Sequence, residues 1–272
     1  MTDLPPAQSL PDPDGALWWR KRARWMYAAV LDGELADHQG PTVARHRLER
    51  ERVGRISLPG GLLVAADPYV MDAEPAPFVQ ALGAEEADVV AVRALVGEDH
   101  ERVAALVLVA GPGPVVDWRM ATLPGQDPST LGDEEFLGYG VDAGTGSFGS
   151  PDAMRVAGRV LAEDEGMLED PLSQRLFEDG IGTRSAAVAA PEPGAEPVAI
   201  CSSGWGDGVY PTWLGSDASG IVVVAVTDFL LTGDPYASSP EDQPQDPPPT
   251  APEPEAADGE PRVPFWQKWF GS

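Results

Sequence analysis

The chain has 272 residues, of which 43% are hydrophobic, a share typical of a folded protein with a buried core. Its 44 acidic residues against 18 Lys and Arg give a formal net charge of -26. Because nucleic acids and anionic lipids are bound mainly through lysine and arginine, this charge argues against nucleic-acid binding. A single cysteine, Cys201, and three scattered histidines argue against an intrachain disulfide and a zinc site.

The first 52 residues are predicted to lie outside the main domain. Residues 1–15 carry four prolines and three acids without periodicity, which predicts a disordered leader. Residues 16–52 are predicted to form a basic helical arm, with an amphipathic helix from Ala16 to about Leu35 and a second helix-like stretch, Thr42 to Arg52. For the first helix, docking on the protein's own acidic body is favoured over docking on a membrane or a partner.

Residues 53–232 are predicted to form one β-rich globular domain. Valine-rich segments 87–96 and 103–110 flank a polar turn and predict an antiparallel hairpin, continued as a meander by a strand within 115–123. Further strands are predicted at 62–66, 136–141, 186–190, 198–203 and 220–229, the last at the centre of the sheet. The predicted fold class is α+β, mainly β, with an antiparallel, sandwich-like core, a few helices and disordered termini.

A glycine-rich segment precedes the one helix expected inside this domain. Ser150-Pro151-Asp152 supplies an N-cap, a first-turn proline and a first-turn acid for a helix running to about Glu163. The preceding residues 144–149 match the G-x-G-x-x-G pattern of dinucleotide-binding loops. The polar residues 164–185 do not supply the parallel strand that such a unit needs, so a glycine turn with positive φ angles is the favoured interpretation.

A second glycine-rich segment, residues 202–213, alternates glycines with large aromatic residues. Either it is a tightly packed turn capped by Asp207, or it forms one wall of a pocket. Aspartates at strand ends and in these loops, with Asp217 among them, raise the alternatives of a divalent cation site or a general acid/base pair, although the spacing forms no EF-hand. The candidate ligand-binding residues are Asp67, Trp118, Asp142, Gly144, Thr145, Gly146, Ser203, Trp205, Asp207, Tyr210, Trp213 and Asp228.

Residues 233–272 are predicted to be a disordered tail rich in proline and acids. The tail carries an aromatic cluster formed by Phe265, Trp266, Trp269 and Phe270. This cluster is interpreted as a tethered docking peptide for a partner, with folding back onto its own domain as the alternative. No signal-peptide pattern and no apolar run long enough to span a bilayer occur, so a cytoplasmic location without stable membrane insertion is expected.

Several motifs resemble the bacterial domain of unknown function 4241, over about residues 50–232. They are Gly60 to Pro68, Trp118 to Ala121, Gly138 to Phe148, Ser202 to Tyr210, Asp217 and Thr227 to Phe229. The resemblance implies a single domain, and it brings no catalytic residues because the family has no assigned activity. The chain departs from the expected pattern at Gly149, where an acid is expected, which weakens any role for this loop as the source of a second carboxylate.

Two classes of function follow from these features. The first is a non-enzymatic binding module with a basic protein partner, of which an immunity-like protein that neutralises a basic toxin is one form. The second is a ligand-binding or divalent-cation-binding domain, or a hydrolase, with an aspartate-lined pocket formed by the glycine-rich loops. The first class is favoured, and no cofactor is expected.

Overall fold

The structure is a computed structural model and describes residues 3–8, 17–38, 43–164, 168–178 and 182–233. The helices in these ranges are α1 (Trp18–Asp32), α2 (Pro151–Glu163) and α3 (Pro171–Leu176). The strands are β1 (Glu34–Asp37), β2 (Ala44–Ser57), β3 (Val64–Ala66), β4 (Glu86–Gly97), β5 (His100–Val109), β6 (Asp117–Met120), β7 (Tyr139–Val141), β8 (Thr145–Gly149), β9 (Ala186–Ala189), β10 (Val198–Ser202), β11 (Gly208–Tyr210), β12 (Thr212–Ser216) and β13 (Val222–Asp228). The predicted α+β, mainly β fold is confirmed.

The largest sheet has seven strands in the order β1-β2-β4-β5-β13-β12-β6, all antiparallel. The predicted β4–β5 hairpin is confirmed, but the predicted meander is wrong, because β13 pairs with β5 and the next strand, β6, lies at the far edge. The apolar run that forms β13 is buried along its whole length, as its position between β5 and β12 requires. The predicted position of this strand at the centre of the sheet is wrong by one strand, because the central strand is β5 and β13 lies next to it.

Helix α1 packs across one face of this sheet, as its amphipathic pattern predicts. Trp19, Ala23, Met26 and Val30 recur at helical spacing and are buried in a core shared with β4, β5, β12 and β13. The helix ends at Gly33, which adopts a left-handed conformation with φ of 76° and donates its amide to the carbonyl of Ala29 at 2.9 Å. Docking of this helix on the protein's own body is therefore observed.

The predicted helix over Thr42 to Arg52 is wrong, because residues 44–52 belong to the long strand β2. Arginine, glutamate and leucine are good helix formers, but this preference amounts to less than about 1 kcal/mol per residue, and pairing with β1 and β4 outweighs it here. Cross-strand ion pairs support the pairing, since Arg52 and Arg55 both donate to Asp88 on β4 at 2.8 Å. These two hydrogen bonds lower the pKa of Asp88 to about 2.

The other face of the seven-stranded sheet packs against a second sheet, with the order β3-β8-β10-β9. Strand β10 shows why the layers form: Ala199 and Cys201 face the large sheet, whereas Val198 and Ile200 face α2 and α3. Helix α2 begins as predicted, with the Ser150 hydroxyl accepting the amide of Ala153 at 3.2 Å. The order of layers is α1, seven strands, four strands, and then α2 with α3.

Part of the predicted disordered leader has a defined position. Residues 3–8 lie along the body, where the Tyr27 hydroxyl donates to the Pro5 carbonyl at 2.6 Å and the Val115 amide donates to the Pro6 carbonyl at 2.8 Å. Packing of Leu4 against the core, two backbone–backbone hydrogen bonds with Val115 and the bond from Tyr27 here outweigh the proline-rich composition. The predicted tail beyond Gly233, with its aromatic cluster, lies outside the described residues.

Candidate functional site

A cleft of about 440 Å³ opens beside the second sheet. Its walls are the segment 67–76, which follows β3, and the two-stranded ribbon that β7 forms with β11. Clefts of this size lie in the range of small-ligand sites. The ribbon joins two segments that the sequence singles out separately, residues 138–146 and 202–210.

Asp67 lies at the base of the cleft and organises it. Its side chain is 1% exposed, and its two oxygens accept four hydrogen bonds. The donors are the amides of Tyr69 at 3.2 Å, Asp142 at 3.1 Å and Ala143 at 2.7 Å, and the hydroxyl of Thr145 at 2.7 Å. Burial raises the pKa of Asp67, and these donors oppose that rise.

Two further carboxylates, Asp72 and Asp142, lie at the exposed rim of the cleft. The remaining lining is mainly apolar and includes Met71, Ala76, Leu123 and Val141. None of the described residues that line the cleft is lysine, arginine or histidine. The cleft therefore combines an apolar wall with a negatively charged rim.

The G-x-G-x-x-G segment supports the cleft and does not form a phosphate-binding loop. Residues 145–149 form β8, which is hydrogen-bonded on both sides by β3 and β10, so its amides are not free to bind a pyrophosphate. Gly144 takes a positive φ of 68°, as the predicted turn requires, and places Thr145 against Asp67. The turn interpretation holds at Gly144, and the dinucleotide interpretation fails.

Replacing Gly146 with alanine is expected to lower the free energy of unfolding by about 1–3 kcal/mol, the usual cost of overpacking. An ideal Cβ at this position lies 2.6 Å from the Tyr139 hydroxyl oxygen and 2.7 Å from the Phe229 ring, so the core must move. Gly140→Ala on β7 is the matched control, because its Cβ meets no atom within 4 Å. Urea unfolding of both variants checks this, and equal losses would contradict it.

The 202–213 segment is divided between the cleft wall and another surface. The Ser203 amide donates to the Gly144 carbonyl at 3.0 Å, which holds the two glycine-rich segments together. Tyr210 packs edge-on against Phe229 and donates its hydroxyl to the Gly206 carbonyl at 2.8 Å. Trp205 is 55% exposed and stacks with Arg102 at 4.2 Å from the ring centre. Asp207 is exposed in the loop and does not line the cleft.

Three other predicted site residues belong to the core under α1. Trp118 and Trp213 are buried there, against Tyr27 and Trp19 respectively. Asp228 is fully buried, and Arg22 of α1 donates to both of its oxygens, at 2.8 and 3.1 Å. These residues hold α1 on the sheet and do not contribute to the cleft.

Sequence reasoning missed Asp72 at the rim and Arg22 as the partner of Asp228. The only signal for Asp72 was its place in the acid- and proline-bearing stretch directly after the Asp67-Pro68 motif. No signal linked Arg22 to Asp228, which lies 206 positions away. Within the described ranges, no group of three histidine, cysteine, aspartate or glutamate side chains is placed to hold a metal ion.

Comparison with known proteins adds one finding. No curated protein and no solved structure matches the chain. None of the helices in the described ranges is long and apolar enough to cross a membrane. A family model, described as a protein of unknown function (DUF4241), matches residues 56–227, which include both walls of the cleft. Because the match covers more than half of the chain, the protein belongs to the DUF4241 family.

Proposed function

We propose that this protein is a non-enzymatic binding module whose cleft receives a basic, partly apolar side chain from a protein partner. The observation that carries the proposal is the lining of the cleft, in which three carboxylates, Asp67, Asp72 and Asp142, meet an apolar wall and no basic residue. Lysine and arginine side chains have the matching structure, because an apolar stem carries the charged group.

The hydrogen bonding of Asp67 favours binding over catalysis. A carboxylate has about four lone-pair sites, and Asp67 uses its two oxygens to accept four hydrogen bonds. To act as a base it would have to give up donors that hold the loop 142–145 in place. Among the described residues that line the cleft there is also no serine, cysteine or histidine to act as a nucleophile.

The overall charge of the protein supports a basic partner. With a formal net charge of -26, the chain attracts positively charged proteins over long distances and speeds their encounter. Each exposed carboxylate adds only about 0.2–1 kcal/mol to a contact. Asp72 and Asp142 therefore favour positively charged ligands over neutral ones and contribute only a small part of the affinity. Most of the affinity then comes from apolar contact with the Met71 and Val141 side of the cleft.

The proposal is tested by titrating the ¹⁵N-labelled chain with acetyl-Arg-Leu-amide, using acetyl-Gln-Leu-amide as the neutral probe. We expect the arginine probe to shift the amide signals of Asp72, Gly140 and Asp142 in a saturable way. Removing both rim charges in Asp72→Asn/Asp142→Asn is expected to weaken its binding about tenfold, which corresponds to about 1.4 kcal/mol.

The matched control is Asp133→Asn/Glu196→Gln, which removes the same charge from two exposed positions outside the cleft. This control is expected to bind the arginine probe with unchanged affinity. Equal weakening in both double variants would show that only the net charge matters, and it would overturn the assignment of the cleft. Equal binding of the two probes would do the same.

A further inference from the structure

The distribution of charge along the tail sets residues 262–270 apart from the linker before them. Residues 234–261 contain eight acids and no lysine or arginine. Arg262 and Lys268, by contrast, are the only basic residues that follow Arg184, and they flank or interleave the four aromatic residues Phe265, Trp266, Trp269 and Phe270. We name residues 262–270 the aromatic segment. It is basic and apolar, which is the chemistry that the cleft selects.

The structure fixes the point from which the tail departs. The indole of Trp205 donates to the Leu231 carbonyl at 2.7 Å, and the amide of Gly233 donates to Asp37 at 3.2 Å. From Gly233, a stretch of 28 residues can span at most about 90–100 Å, since a chain covers no more than about 3.3–3.6 Å per residue. That maximum span exceeds the diameter of a folded domain of this length. The aromatic segment can therefore meet the cleft without unfolding any described element.

We propose that the aromatic segment binds in the cleft of its own chain and competes there with the basic partner. This inference rests on the proposed function, because it uses the same rim carboxylates and the same apolar wall. Arg262 and Lys268 complement Asp72 and Asp142, whereas a tryptophan ring fits the apolar side that includes Met71, a side chain that adapts well to aromatic rings. The acidic linker is repelled by the cleft rim, which favours insertion of the aromatic segment alone.

Tethering makes even a weak segment an effective competitor. A linker that can span the distance between two sites gives an effective concentration of about 1 mM. A segment with a dissociation constant of about 0.1 mM then occupies the cleft about nine-tenths of the time, and an external ligand binds about tenfold more weakly. We therefore expect acetyl-Arg-Leu-amide to bind the Trp266→Ala/Trp269→Ala chain about tenfold more tightly than the natural chain.

The location of the segment is tested in the full chain with a spin label on Ser272→Cys. The lone natural cysteine, Cys201, is fully buried and its thiol pKa is raised by burial, so the label reacts at position 272. We expect the label to broaden the amide signals of Asp72, Gly140 and Asp142, and saturation with the arginine probe to restore them. The same label in the Trp266→Ala/Trp269→Ala chain is expected to leave these signals sharp.

Each other outcome overturns a definite part of the account. If the probe binds the cleft equally well in both chains and the label broadens other surfaces, the tail does not dock and the proposed function stands. If the broadening at the cleft arises only between a labelled chain and an unlabelled one in a mixture, a second copy supplies the segment. If the probe binds neither chain, the proposed function falls, and the competing role of the tail falls with it.

Discussion

Replacing Arg22 with methionine is expected to lower the free energy of unfolding by about 3–5 kcal/mol, the usual cost of leaving one partner of a buried ion pair alone. Arg22 is 2% exposed and Asp228 is fully buried, so water cannot replace the lost guanidinium. The remaining donors to Asp228 are the Leu230 amide at 2.9 Å and the Trp213 indole at 3.4 Å, both uncharged. The carboxylate therefore keeps its hydrogen bonds but loses its counter-charge.

The effect reaches beyond the pair itself because Arg22 also connects α1 to the sheet. Its guanidinium stacks on Trp25 at 4.6 Å, and α1 covers the apolar face of β5, β12 and β13. Loss of the pair is expected to loosen the helix and to raise hydrogen exchange in α1 first. The cleft lies on the opposite side of the large sheet and should keep its ligand affinity in any Arg22→Met chain that remains folded.

The control for this prediction is Arg22→Met/Asp228→Asn, in which the unpaired charge is absent. Urea unfolding is expected to show that this double variant recovers most of the loss, since the asparagine oxygen can still accept from the Leu230 amide and only the long contact with Trp213 is lost. Comparing the two variants separates the free-energy cost of the unpaired Asp228 charge from the cost of the packing that Arg22 no longer provides. A double variant that is no more stable than Arg22→Met would show that the ion pair is not the cause.

Replacing Asp67 with alanine is expected to cost about 3 kcal/mol of folding stability and to abolish binding of the arginine probe. The substitution leaves four donors without their acceptor, and each buried donor left unsatisfied costs about 1–3 kcal/mol. Water entering from the cleft can accept hydrogen bonds from some of these donors. The total loss of stability is therefore smaller than four times the cost of a single unsatisfied donor. The loop 142–145 then loses its fixed position, and with it the rim carboxylate of Asp142. Urea unfolding and the probe titration measure both effects, and unchanged stability would contradict this account of Asp67.

Asp67 also predicts a pH dependence with a definite sign. Because burial raises its pKa in the folded state, the folded protein holds this proton more strongly than the unfolded chain, whose carboxyl titrates near pH 3.9. The stability that this protonation contributes is present below about pH 4 and is lost as the pH rises through the folded-state pKa. The stability difference between the natural chain and Asp67→Asn is therefore expected to shrink across that window. A difference that grows with pH would mean that the four donors lower the pKa of Asp67 below the unfolded value.

Local patterns in the sequence predicted much of the fold. Features that depend only on neighbouring residues can be predicted from the sequence. They include the buried apolar runs of β10 and β13, the Ser150 cap of α2 and the helical spacing in α1. Strand β2 was missed because its stability comes from pairing with β4, whose partners lie about 40 positions away. The order of strands in the large sheet was missed for the same reason.

The cleft was predictable only in part. Asp67, Asp142, Gly144 and Thr145 were all selected from the sequence, and the structure joins them through hydrogen bonds and one tight turn. Asp228 and Trp213 were selected on the same grounds of residue type, yet both lie in the core under α1. A carboxylate that binds a ligand and one that neutralises a buried arginine look alike in sequence. Only the distant partner, Arg22, distinguishes them.

The most direct test of the central claim is a search for nuclear Overhauser effects between bound acetyl-Arg-Leu-amide and the methyl groups of the full chain. We predict contacts from the probe to Met71 and Val141, on the apolar wall next to Asp72 and Asp142. Such contacts would locate a basic, partly apolar ligand in the cleft. Contacts confined to other surfaces, such as that around Trp205, or binding with no contact to either methyl group, would contradict the account.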